Sequence, residues 1–100
     1  MKPFVALIAI TLPLCFAPAH ASLELAAKSK CMMCHDVEKK KMGPAFKEIS
    51  AKYKGDKAAE AMLADSMLNG VKDKWGKIPM AAQKIAPVDA QQLSKWILTL

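Results

Sequence analysis

Arginine is absent from this 100-residue chain: all 15 basic residues are lysines, set against nine acids and two histidines. Strand-like alternation is absent too, and β-branched residues are few, which argues against a sheet. No apolar run reaches the roughly 20 residues needed to cross a bilayer. What is abundant is sulfur, with three Cys and seven Met.

The first segment changes these counts. Residues 1–21 read MKPFVALIAITLPLCFAPAHA. Lys2 supplies a positive start, residues 4–16 are apolar and uncharged, and Ala19-His20-Ala21 has the small-x-small pattern of a signal peptidase site. This is the layout of a cleaved secretory signal peptide. The rival, a membrane anchor, is disfavoured by the short run and by Pro13 and Pro18. Cleavage after Ala21 leaves a single domain, residues 22–100, with 14 Lys, nine acids, two Cys and one His. A lone His leaves no pair for a two-histidine metal site and none to spare beyond a catalytic triad. A net basic but arginine-free exported chain is also a poor nucleic-acid binder. Seventy-nine residues make a marginal core, and small exported domains usually recruit disulfides, a metal or a cofactor.

Helical periodicity appears in four places. Residues 23–35 are loosely periodic through Leu23, Ala26, Ala27 and Cys31. In 45–53, Phe46, Ile49 and Tyr53 share a face. In 57–69, Ala59, Met62, Leu63, Ser66 and Met67 do so, and Gly70 supplies a stop. The stretch 87–99 opens with Pro87 at the first helical position and Asp89 in the first turn. It carries the stripe Leu93, Trp96, Ile97 and Leu100. All these stripes read as core. Between the last two helices lie 17 residues, 70–86, without periodicity. A loop that long in so small a domain is expected to be functional. Lys39-Lys40-Lys41 reads as solvated surface.

The chemistry is carried by Cys31-Met32-Met33-Cys34-His35. C-x-x-C-H is the attachment signature of c-type haem. On a helix, residues three and four apart share a face. Both sulfurs can then meet the vinyl groups on one porphyrin edge while the imidazole reaches the iron. A thioredoxin-like C-x-x-C wants a βαβ context that is missing. A structural zinc wants four ligands. A disulfide across two residues closes too small a loop to stabilise much. With histidine exhausted, a methionine is the remaining soft donor for the sixth position. Met32 and Met33 lie inside the attachment loop, Met42 is close to His35, and Met62 and Met67 fit a helix core. Met80 sits in the long loop directly after Pro79. His/Met ligation raises the potential and closes both axial positions.

These residues resemble the short bacterial monohaem class I cytochromes c. The resemblance spans residues 22–100. It rests on Cys31–His35, on Met42-Gly43-Pro44-Ala45-Phe46-Lys47, on Ile49 with Lys52-Tyr53, and on Asn69-Gly70. It continues through Trp75-Gly76-x-Ile78-Pro79-Met80 and Ala90-Gln91-x-Leu93-x-Lys95-Trp96-Ile97-Leu98. The resemblance implies an all-α fold of about four short helices around one covalently attached haem c. In it, Cys31 and Cys34 carry thioethers, and His35 and Met80 are axial ligands. The Pro44 carbonyl accepts from the His35 ring. Trp75 donates to a haem propionate, and Gln83 donates to the Met80 sulfur. Gly43-Pro44 as a mere turn and Trp75 as a mere core aromatic are the plainer readings. Departures are Ala81 and Ala82 where prolines are common, Ser66 where an arginine commonly meets a propionate, and Ala26 in place of an aromatic.

The expected function is periplasmic one-electron carriage between redox proteins, by a carrier and not an enzyme. Its lysines fit acidic docking faces on a cytochrome reductase or a terminal reductase or oxidase. It is expected to be a monomer with no stable membrane insertion after cleavage. The alternative is a haem enzyme or gas sensor whose methionine leaves the iron. Because the haem would be the centre of the core, the apoprotein is expected to be largely unfolded.

Overall fold

The computed structural model describes residues 3, 8, 9 and 19–100. The expected leader therefore lies mostly outside the described residues, and the expected cleavage point after Ala21 falls in the first turn of the first helix. Among the described residues there are four α-helices: α1 (Ala19–Lys28), α2 (Phe46–Lys52), α3 (Ala59–Asn69) and α4 (Pro87–Ile97). A short 3-10 turn, Cys31–Met33, follows α1. Among the described residues there is no strand, only an isolated antiparallel bridge between Val71 and Met80, and no helix is long and apolar enough to cross a membrane.

The later helices follow local chemistry. Pro87 occupies the start of α4, Asp89 its first turn and Lys95 its last, each matching the helix dipole. α3 stops at Gly70, whose φ of 84° most side chains avoid. α2 begins after extended Ala45. Its first free amides are taken by the Asp36 and Val37 carbonyls at 2.9 and 3.1 Å. These bonds fasten the loop after His35 to the start of α2.

The spacing of 23–35 predicts one loosely periodic helix, but the structure splits the segment in two. α1 ends at Lys28, and Lys30 takes a left-handed conformation, φ 64°. The motif then turns as a 3-10 segment, with Cys31 accepting from both Cys34 and His35 at 3.2 and 3.0 Å. The three-and-four spacing survives as one local turn, re-aimed by Lys30.

α4 is the hub, packing against α1, α2 and α3. Phe46, Ile49, Leu63, Met67, Leu93, Trp96 and Ile97 are buried as the stripes predict, whereas Leu23, Ala27 and Leu100 are exposed. Ala26, Ala59, Ala90 and Ser94 are completely buried. Small residues at these points let the helix backbones approach closely. Ser50 donates to the Leu98 and Leu100 carbonyls at 3.2 and 2.9 Å, tying α2 to the chain end. Ser94 Oγ has no hydrogen-bond partner among the described residues. Ser94→Ala removes that unmet hydroxyl at nearly constant shape, so chemical denaturation should show a gain of about 1 kcal/mol. A loss of that size would mean that the hydroxyl has a partner.

Candidate functional site

A cavity of about 270 Å³ opens beside the 3-10 turn, and Cys31, Cys34, His35 and Met80 all line it. The loops and helices bring together the four residues singled out from sequence. Pro44 and Trp75 line the same cavity.

His35 is held from three directions. Its Nδ1 donates to the Pro44 carbonyl at 2.7 Å, because a carbonyl can only accept. That fixes the tautomer and leaves Nε2 as the bare nitrogen. Phe46 stacks on the ring with centroids 5.0 Å apart, and Trp96 meets Phe46 edge-on at 5.6 Å. On another side stands Gly43. A Cβ there would lie 2.8 Å from His35 Nδ1 and still closer to Cε1, so a side chain at this position would displace the ring. His35 is 8% exposed.

Cys31 and Cys34 are half-buried and form no disulfide. Burial pushes the Cys31 thiol above its ordinary range. Cys34 Sγ lies 3.9 Å from Met42 Sδ, which places Met42 on the attachment side of the cavity. Asp36 accepts from the Glu38 and Lys39 amides at 2.8 Å each. Those bonds hold its carboxyl below the ordinary carboxylate range. Lys47 pairs with Glu38 at 2.6 Å, both exposed.

Met80 enters from the long loop, which is ordered at its ends. Val71 and Met80 exchange two backbone bonds of 2.9 Å, and the Gln83 amide donates to the Met67 carbonyl at 2.7 Å. Gly70 permits this approach: its Cβ would lie 2.8 Å from the Met80 carbonyl. The Gln83 side chain does not reach for the Met80 sulfur. Its Nε2 donates to the Ala81 carbonyl at 2.8 Å. Ser66 donates to the Met62 carbonyl at 2.9 Å.

Trp75 is half-buried and meets Tyr53 edge-on at 6.5 Å. The aromatic pair was not singled out as a unit from sequence, nor were the roles of Gly43 and Phe46 against His35. Phe46 read only as core. A glycine's missing Cβ gives no positive signal until its neighbour is known.

The donor set fits a covalently held haem. Two thiols stand at one edge of an apolar hollow, one imidazole has its far nitrogen tied back, and a thioether is carried on a separate loop. Comparison with known proteins agrees. The family model "Cytochrome c" matches residues 23–100. Cytochrome c-552 of Nitrosomonas europaea is 43% identical over 83 residues, covering 82% of this chain and 81% of that one. Cytochrome c-552 of Hydrogenobacter thermophilus is 40% identical over 80 residues, covering 80% and 82%. The crystal structure of the wild-type Nitrosomonas protein superposes with a TM-score of 0.76, covering 78% of this chain and 98% of that one. The chain belongs to the cytochrome c family. Within it, this is a small monohaem class I cytochrome c: an all-α electron-transfer protein, not an enzyme, which carries one covalent haem c and exchanges electrons with redox partners.

Proposed function

We propose that Cys31 and Cys34 hold the haem by thioether bonds and that His35 and Met80 are its axial ligands. The protein then works as a periplasmic carrier, released by cleavage after Ala21. The observation that carries this reading is the convergence of both thiols, the His35 ring and Met80 on one cavity.

When bound, the haem supplies a one-electron iron couple whose potential is raised by a thioether ligand. The rest is done by the chain. Pro44 keeps a proton on Nδ1 and so leaves Nε2 as the donor atom. Phe46 and Gly43 fix the plane of the ring. The Val71–Met80 bridge holds the thioether loop in place, so the two donors keep their positions through oxidation and reduction. Buried Leu63, Met67, Leu93 and Ile97 line the cavity and keep water away. Trp75 at the cavity edge offers its indole N–H to a carboxylate side arm.

The lysine surplus, with Met33, Met42 and Ile78 exposed among it, favours a monomer that docks transiently on acidic faces. Partners of this kind are a cytochrome reductase or a terminal reductase or oxidase. The test is the intact mass of protein exported to the periplasm. The expected result is a chain beginning at Ser22 plus one haem, with no free thiol. A mass without haem, or with both thiols alkylatable, overturns the reading.

A further inference from the structure

Ionised haem carboxylates are stabilised by nearby cations, this chain has no arginine, and the Ser66 hydroxyl at the cavity is spent on the Met62 carbonyl. Two ammonium groups instead gather at the aromatic edge of the cavity. Lys52, at the end of α2, sets Nζ 4.4 Å from the Trp75 ring centroid and 5.6 Å from that of Tyr53. Lys74, which lines the cavity, sets Nζ 5.9 Å from the Tyr53 centroid. Its only hydrogen-bond partner among the described residues is Met62 Sδ at 3.2 Å. A thioether is a weak acceptor for a full positive charge. Neither ammonium has a carboxylate within salt-bridge distance among the described residues. Two lysines thus stand close to one aromatic pair with no carboxylate beside either among the described residues, and Lys74 itself lines the apolar hollow.

We propose that Lys74, backed by Lys52 across the Tyr53–Trp75 pair, forms the cationic seat for the haem carboxylates, in place of the missing arginine. The proposal rests on the haem reading above. Other charged groups at this cavity are Lys30, before the attachment turn, and Asp73, beside Lys74. Asp73 opposes the seat by repulsion, so the lysines must outweigh it. His35 is also a lining group, but its Nδ1 is committed to Pro44.

The readout is the reduction potential as a function of pH. An ionised carboxylate near the iron stabilises the oxidised form, so the potential steps down where that carboxylate loses its proton. Nearby ammonium groups hold it ionised and place the step at low pH. In Lys74→Gln, and more so in Lys52→Gln/Lys74→Gln, the step should move up by about one pH unit. Glutamine keeps most of the stem and its packing. Lys74→Arg should restore the wild-type position. Lys95→Gln, on exposed α4, should lower the potential slightly and leave the step in place. The proposal is overturned by a step at the wild-type pH in the double variant. It is equally overturned if no variant shows a step between about pH 4 and about pH 9. The haem mass and visible spectrum of each variant separate this from failure of the haem reading: a wild type without the haem mass overturns both.

Discussion

Met80→Ala should keep its covalent haem and lose the sulfur–iron charge-transfer absorption of the oxidised protein. Its potential should fall by on the order of 0.2 V, a part of the roughly 0.8 V span that axial ligation commands. The fold gives this variant a clean interpretation. Met80 is positioned by backbone, through its paired 2.9 Å bonds with Val71, so truncating the side chain leaves the loop closed. Ala81 and Ala82 are exposed and contribute little to that closure. The competing sulfurs are placed elsewhere: Met42 lies beside Cys34, and Met62 is not among the residues that line the cavity. Met67 lines the cavity but is buried on α3. Carbon monoxide should bind the reduced variant readily, because on the proposed ligation the sixth position is then open. An unchanged charge-transfer band in Met80→Ala would assign the sixth ligand to another sulfur, with Met67 next in line.

Removing the haem should have a larger effect still. Cys31→Ala/Cys34→Ala, purified free of haem, is expected to lose most of its helical circular dichroism. Leu63, Met67, Leu93 and Ile97 belong at once to the helix core and to the cavity wall. The hollow is therefore the middle of the core. Without haem, the apolar walls of a hollow of about 270 Å³ are left facing water, and the burial that would hold the helices together is missing. A haem-free variant that unfolds cooperatively from a fully helical state would show that the core closes by itself.

Legibility varied by element. α3 and α4 could be placed from periodicity and punctuation alone, because Gly70, Pro87 and Asp89 act through local backbone geometry and the helix dipole. The split between α1 and the attachment turn was not legible. It depends on Lys30 adopting a left-handed conformation that lysine does not favour. The loop 70–86 showed no pattern, since its order comes from bonds between Val71 and Met80 and between Gln83 and Met67. The full burial of Ser94 was hidden as well, since only a close neighbour makes a small polar residue a core residue.

The sequence by itself determined the C-x-x-C-H motif with its histidine, the methionine in the long loop and the helical class. These are matters of residue type and short spacing. Tertiary structure decided how they work together. It pinned the His35 ring between Phe46 and the gap at Gly43, turned Gln83 away from Met80, and set Lys52 and Lys74 beside one aromatic pair. The physical reason is range. Periodicity and capping act over one or two helical turns, whereas these contacts join segments that meet only when α4 closes the core.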